Sequence, residues 1–275
     1  MAPPGPARLT SAHPVAELMA RRLLNALDTE LPDLVTGFHL VGSAALGDFR
    51  PHASDLDFVA VLSTNPDEAA LTAMERLHRQ LDSGGQNLTL DGVYVLDHEL
   101  VSDPSGTAGP CVIDGRFSRS GCHERDPVAW AVLKEFGIAF RGDSVGSGPR
   151  FGSRTLETWA LARLVECGSP PAGRWPWTRR RPRLGLTTLD VSHRVLSACR
   201  DHYAVATGSP TSKEHAGLYG LITFPDRWRP LIDEALHARR RPDALPSHDD
   251  VEDLQHQVRN FLGLVARDAH AFSGP

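Results

Sequence analysis

The hydrophobic pattern of this chain changes once, near a stretch rich in Gly, Ser and Pro between residues 142 and 152. Before it, short apolar runs alternate with segments of helical period, and after it every periodic segment is helical. The 275 residues also exceed the roughly 100–200 that one domain usually holds. We therefore predict an α/β domain over residues 15–152 and an all-α domain over residues 153–275. Residues 1–14, rich in Pro and without an apolar run, are predicted to be a disordered tail.

The predicted elements of the first domain alternate between strand and helix. Helices are predicted at residues 15–27, 67–81 and 127–136, and strands at residues 34–41, 56–62, 88–96 and 138–140. Residues 102–125 are rich in Gly, Ser and Pro, and a loop is predicted there. We expect the strands to form one mixed β-sheet.

The second domain is predicted to be a bundle of helices with short connections. The predicted helices cover residues 155–166, 187–206, 212–223, 225–239 and 248–269. Ser247 is predicted to cap the last helix, and the acidic first turn after it suits the positive end of the helix dipole.

Composition excludes several classes of protein. No window holds the roughly 18 apolar residues of a membrane-spanning helix, and residues 1–14 lack the apolar run of a secretory signal. The net charge of -5 argues against a general nucleic-acid partner, because nucleic-acid-binding proteins usually show a basic face. The four cysteines show no C-x-x-C spacing and are expected to be reduced thiols, so we predict a cytoplasmic protein.

Two carboxylates lie two residues apart at the start of the second predicted strand. Asp55 and Asp57 project from the same face, because strand side chains alternate. Like charges on a buried strand edge repel each other unless a positive charge lies between them. Since carboxylate oxygens suit Mg²⁺, we predict that Asp55 and Asp57 bind this metal.

The pair Gly42-Ser43 follows the first predicted strand and is expected to open a helix. Backbone N–H groups and the Ser43 hydroxyl can face an anion at such a turn, and glycine lets a phosphate approach the chain closely. A third acid, Asp91, lies in the next predicted strand. If that strand pairs beside the strand of Asp57, three carboxylates converge near one phosphate site, as two-metal nucleotidyl transfer requires.

Each of these features has a simpler interpretation when it stands alone. A lone Asp-x-Asp is more often a solvated turn, and a lone Gly-Ser pair is nearly always a turn without function. Their order and spacing within one segment are far more specific. Cys122-His123 lacks further ligands at metal-binding spacing, and we interpret it as an ordinary loop pair.

The segment from Gly42-Ser43 to Asp55-x-Asp57 resembles the nucleotidyltransferase superfamily with a DNA polymerase β-like core. Residues 40–61 and 90–100 resemble the aminoglycoside (3'')(9) adenylyltransferases within it. The C-terminal half is similar to the helical domain of that family at residues 196–200, Tyr203, 206–208 and 212–216. The resemblance implies an adenylyltransferase that moves AMP from ATP to a hydroxyl group of a streptomycin- or spectinomycin-type antibiotic and so confers antibiotic resistance.

The resemblance also implies roles for acidic residues. The metal-binding acids of the family match Asp55 and Asp57, and its catalytic base matches Asp91, where the family usually has glutamate. An acid that binds the aminoglycoside in the family matches Asp190, which by itself could equally be a solvated helical residue.

Residues that bind the nucleotide are implied in both domains. Gly42 and Ser43 match the phosphate-binding turn, Lys213 matches a lysine that contacts nucleotide phosphates, and Arg200 matches an arginine facing the cleft between the domains. Without the surrounding match, Lys213 would be interpreted as a surface lysine at a helix start.

An arginine-rich linker leaves the identity of the acceptor substrate undecided. Five arginines between residues 174 and 183 surround Trp175 and Trp177, and such a run is normally a solvated loop. If it lined the cleft, it would repel a polycationic drug and favour a lincosamide-like antibiotic or another metabolite. A further alternative is a protein or RNA acceptor, as in toxin–antitoxin nucleotidyltransferases, but the large helical domain counts against it. A nucleotide-binding module without activity is disfavoured because all three acids are present.

Overall fold

The computed structural model describes residues 6–51, 53–83, 89–102, 107–121, 125–143, 153–168, 188–241 and 251–272. The chain divides into two compact units that meet in sequence between Gly152 and Ser153. The first unit is α/β and the second is helical. No helix in the described ranges is both long and apolar enough to cross a membrane.

The first unit contains one mixed sheet of six strands in the order β5-β4-β3-β2-β1-β6. Strands β2 and β3 are parallel, and the other neighbours are antiparallel. The strands are Val35–Leu40 (β1), Leu56–Leu62 (β2), Leu90–Leu96 (β3), Gly109–Ile113 (β4), Arg116–Gly121 (β5) and Ile138–Arg141 (β6). The helices are Pro14–Glu30 (α1), Gly42–Ala45 (α2), Glu68–Ser83 (α3) and Pro127–Phe136 (α4).

The parallel pair β2 and β3 forms the centre of the core. A parallel connection needs a crossover, and α3 supplies it with Met74 and Leu77 buried. Phe38 on β1 stacks on Phe58 of β2 at a centroid distance of 5.4 Å, and both rings are buried. Buried apolar side chains on successive strands therefore hold the central strands whose first residues include the acids.

A β-hairpin occupies most of the segment predicted to be a loop over residues 102–125. Strands β4 and β5 pair with each other, and Asp114-Gly115 is the turn between them. Most side chains of β5 are exposed or half-buried, so they carry no strong apolar pattern. The loop prediction is wrong here because an edge strand needs little apolar sequence once it pairs with a neighbour.

The segment before α1 packs on the first unit. Ala12 is buried, and Leu9 packs against the same core. This differs from the disordered tail predicted over residues 1–14, because two apolar side chains among prolines are enough to anchor the segment. Residues 1–5 lie outside the described residues.

In the described part of the second unit, five helices lie where five were predicted. They are Ser153–Gly168 (α5), Thr188–Thr207 (α6), Lys213–Thr223 (α7), Arg229–Arg240 (α8) and Val251–Phe272 (α9). His202 of α6 is buried and bonds Tyr219 of α7 at 2.9 Å and Asp268 of α9 at 3.0 Å. This polar network connects three helices inside the unit. The predicted cap Ser247 lies outside the described residues.

Candidate active site

The Gly42-Ser43 turn lies directly against Asp57. Gly42 has φ +56, and a Cβ atom there would lie 1.9 Å from Asp57 Oδ2, so only glycine fits. The N–H of Val41 donates to the carbonyl of Asp57 at 3.0 Å. Ser43 Oγ is buried and has no hydrogen-bond partner among the residues that the structure describes. The turn thus places an unsatisfied hydroxyl beside the acidic strand.

Asp55 and Asp57 flank the buried Leu56 at the start of β2. Leu56 is fully buried, whereas Asp55 is exposed and Asp57 is half-buried. Since side chains alternate along a strand, both carboxylates lie on the face opposite to Leu56.

Asp91 is the partner of Asp57 in the parallel register of β2 and β3. Its Oδ1 accepts a hydrogen bond from the N–H of Asp114 at 2.6 Å. Burial, and then the charges of Asp55 and Asp57, raise the pKa of Asp91 to about 8. Asp91 therefore lies close enough to Asp55 and Asp57 to be affected by both charges. Their roles as metal ligands and base remain predictions.

The residues present fit a hard divalent cation that also binds phosphate. No group of three or more His, Cys, Asp or Glu side chains within the described ranges has the geometry to hold a metal ion by itself. Magnesium sites in nucleotide enzymes commonly use one or two carboxylates and complete the shell with substrate phosphates and water. The repulsion of Asp91 by Asp55 and Asp57 is the feature that a cation would relieve.

Sequence reasoning missed Asp114, which lies at the turn of the β4–β5 hairpin. Its N–H bonds Asp91, and its charge adds to the repulsion that raises the pKa of Asp91. The dipeptide Asp114-Gly115 is a strong signal for a two-residue hairpin turn. That signal, used together with Cys111 and Val112, would have located the hairpin.

Lys213 and Arg200 lie in a cluster of positive charges within the helical unit. Lys213 is the first residue of α7, and Ser212 caps that helix by accepting the N–H of His215 at 3.1 Å. Arg200 lies on α6. The cluster also contains Arg163 of α5, which pairs with the buried Asp201 at 3.2 Å.

His193 reports the strength of this positive cluster. His193 is exposed, and the charges of Lys213 first, and then of Arg200, Arg163 and Arg194, hold its pKa below its ordinary value. The imidazole is therefore neutral at pH 7. His193 was not selected from the sequence, because the charges around it come from three different helices.

Asp190 lies in the first turn of α6, half-buried and close to Arg194. Burial away from water lowers the pKa of Arg194, while the charge of Asp190 opposes that change. Asp190 thus lies near a positive side chain of its own helix. The arginine-rich linker over residues 174–183 and the pair Cys122-His123 lie outside the described residues.

Comparisons with known proteins match both halves of the chain. The family model of the nucleotidyltransferase domain matches residues 20–95, which contain the turn and all three acids. The family model of the aminoglycoside adenylyltransferase C-terminal domain matches residues 185–267, which contain Asp190, Arg200 and Lys213. No curated protein matches the sequence.

A solved structure shares the fold. It is the spectinomycin adenyltransferase AAD(9) from Enterococcus faecialis, crystallised with ATP and spectinomycin. The similarity covers 88% of this chain and 99% of that chain, with a TM-score of 0.66 and 15% sequence identity. This likeness confirms the predicted fold class, an N-terminal nucleotidyltransferase fold followed by a helical region.

Proposed function

Since the chain belongs to the aminoglycoside adenylyltransferases of the nucleotidyltransferase superfamily, we propose that it transfers AMP from ATP to a hydroxyl group of an aminoglycoside or aminocyclitol antibiotic. The acceptor would be of the streptomycin or spectinomycin type, and the transfer would confer resistance. We place the reaction in the cytoplasm. Residues 15–152 would form the nucleotidyltransferase domain, and residues 153–275 would bind substrate and nucleotide.

The observation that supports this proposal is the register of β2 and β3. It makes Asp57 and Asp91 neighbours, with Gly42-Ser43 packed against Asp57. Nucleotidyl transfer needs charge stabilisation at the phosphates and a base near the attacking hydroxyl. Here Asp55 and Asp57 could hold a cation for the phosphates and Asp91 could act as the base, all near the starts of the central strands β2 and β3.

Asp91 would act as the general base. The acceptor oxygen forms a bond to the α-phosphorus of ATP, the bond from that phosphorus to the pyrophosphate oxygen breaks, and the hydroxyl proton passes to Asp91. The base must be ionised to accept the proton. Because Asp55 and Asp57 contribute to the raised pKa of Asp91, neutralising them would lower that pKa and favour the active form.

Asp55 and Asp57 would hold Mg²⁺ together with the phosphates of ATP. When bound, the cation supplies positive charge for the phosphoryl oxygens and the leaving pyrophosphate. Gly42 lets the turn approach the Asp57 carboxylate closely, and the Ser43 hydroxyl would gain a partner in a phosphate oxygen.

Lys213 and Arg200 would bind the triphosphate through charge-assisted hydrogen bonds. The positive cluster that depresses the pKa of His193 supports this assignment, since the same field attracts an anion. Lys213→Ala should therefore raise the KM for ATP and leave the KM for the acceptor nearly unchanged.

Asp190 would bind a cationic group of the acceptor. Because Arg194 already offsets part of its charge, this contact would be modest. Asp190→Ala should raise the KM of the antibiotic and leave that of ATP nearly unchanged. If the positive residues of the helical unit repel a polycation instead, a neutral lincosamide-like acceptor would be preferred.

The proposal is tested by pyrophosphate release from ATP and Mg²⁺ with streptomycin, spectinomycin and a lincosamide as separate acceptors. Release that depends on streptomycin or spectinomycin, with a mass gain of one AMP on the drug, is the expected result. Release only with the lincosamide would move the assignment to the alternative acceptor. No release with any acceptor would overturn the proposed reaction.

A further inference from the structure

The β4–β5 hairpin ends in a two-residue turn of unusual backbone geometry. Ile113 pairs with Arg116, so Asp114 and Gly115 alone form the turn. Both have positive φ, +53 for Asp114 and +74 for Gly115. A turn with two positive φ values matches the twist of paired strands and fixes where its N–H groups point.

Both N–H groups of the turn bond the start of β3. The Asp114 N–H donates to the carboxylate of Asp91 at 2.6 Å, and the Gly115 N–H donates to the carbonyl of Leu90 at 3.0 Å. Gly92 and Val112 then continue the pairing of β3 with β4. One turn therefore holds the backbone just before Asp91 and the side chain of Asp91 itself.

We propose that the Asp114-Gly115 turn is a positioning element for the proposed base Asp91. The inference rests on the proposed function, in which Asp91 accepts the acceptor proton. An aspartate side chain has two torsions, and the hydrogen bond to Oδ1 fixes the second one. The other carboxylate oxygen is then held at a defined place, where a shift of about 1 Å can cost roughly 10²-fold in rate.

The test is a double-mutant comparison with Asp114→Pro and Asp91→Asn. Proline has no N–H and cannot adopt φ +53, so the hydrogen bond to Asp91 is lost. In the wild-type background we expect kcat to fall about 10- to 100-fold with the KM for ATP unchanged. In the Asp91→Asn background the same change should alter kcat less than about 3-fold, because residues that act as a unit are not additive.

Asp114→Gly separates the effect of the backbone N–H of residue 114 from the effect of its side-chain carboxylate. It keeps the N–H and the positive φ but removes the side-chain charge, so it should lose much less kcat than Asp114→Pro. An equal loss in both variants would mean that the carboxylate matters, and the positioning proposal would be wrong.

If Asp114→Pro fails to fold, Gly115→Ala strains the same turn, and Gly142→Ala is its matched control. Gly142 also has φ +74 but follows β6 at the other edge of the sheet, and a Cβ there would in addition lie 3.3 Å from the Thr36 carbonyl oxygen, so this control is strained at least as much. Only Gly115→Ala should lower kcat, and only when Asp91 is present. An equal fall of kcat in the wild-type and Asp91→Asn backgrounds would overturn the inference. A wild-type protein without any AMP transfer would instead contradict the proposed function.

Discussion

Asp57 and Asp91 are partners in parallel register, and their side chains lie on the same face of neighbouring strands. Burial is the main cause of the raised pKa of Asp91, and because such strands lie about 4.8 Å apart, the register adds repulsion from the charge of Asp57. The next pair is Phe58 with Gly92, where a Cβ atom on Gly92 would lie 2.5 Å from the Phe58 carbonyl oxygen. Close packing of this pair fixes the spacing of the two acids beside it.

Replacement of Asp57 by asparagine tests the acidic pair directly. The amide keeps the size of the side chain but removes the charge that would balance a cation. Several kcal/mol of charge stabilisation are at stake, so AMP transfer should fall by about 10²-fold or more. Turnover is measured with ATP and Mg²⁺ in excess, and far-UV circular dichroism should remain unchanged.

A matched control for this variant is Asp97→Asn. Asp97 follows β3 and is exposed, so the loss of its charge should leave turnover within about 2-fold of wild type. Wild-type turnover in Asp57→Asn would remove this residue from the proposed reaction.

Gly42→Ala tests the close approach of the turn to the acidic strand. A Cβ atom at position 42 would lie 1.9 Å from Asp57 Oδ2, so the Asp57 carboxylate must move. Gly47→Ala is the comparison, because Gly47 has φ +73 but a Cβ there would meet only Leu9 Cδ1, at 3.5 Å.

Both glycine variants should lose about 1–2 kcal/mol of stability from the left-handed backbone. Only Gly42→Ala should also lose most of the AMP transfer. Equal turnover in the two variants would mean that the position of Asp57 does not matter to the reaction. Thermal unfolding measures the stability lost through backbone strain. Turnover of the same samples measures the effect of displacing the Asp57 carboxylate.

Much of the fold was predictable, because recognisable residues in the sequence mark where its core elements begin and end. Strand Leu56–Leu62 and helix Pro127–Phe136 have the predicted limits. The strand lies between prolines at 51 and 66, and Gly137 follows the last helical residue, Phe136. The flanking prolines and glycine, together with the apolar pattern, were sufficient to predict these two elements.

The hairpin and the place of His193 within the positive cluster were not predicted, because their signals are not local. Strand β5 is held by pairing with β4 and by Arg119, which bonds Thr72 of α3 at 3.1 Å. His193 gains its depressed pKa from charges on α5, α6 and α7. These residues are far apart along the chain and come together only when the helices pack.

The stability of the metal-free protein should depend on pH through Asp91. Its pKa is raised from 3.8 to about 8, so between these pH values the folded chain keeps a proton that the unfolded chain has lost. The contribution of Asp91 to the free energy of unfolding therefore falls as pH rises through this window. In a chelator, Asp91→Asn should be more stable than wild type at pH 8, and the difference should shrink towards pH 4.

Urea denaturation at a series of pH values measures this difference. Asp97→Asn, which replaces an exposed acid, should follow the wild-type curve. A constant difference between Asp91→Asn and wild type from pH 4 to pH 8 would show that Asp91 is not protonated in the folded chain.

Lys213→Ala should raise the pKa of His193. A positive charge disfavours the imidazolium form, and Lys213 is the largest cause of the depressed pKa of His193. Removing it leaves the charges of three arginines, so the pKa should rise while staying below its ordinary value. NMR titration of the His193 Cε1–H signal measures the change, and Lys134→Ala on α4 is the control that should leave that signal unchanged. An unaltered pKa in Lys213→Ala would mean that the lysine does not belong to the positive cluster, and its proposed contact with ATP would lose its support.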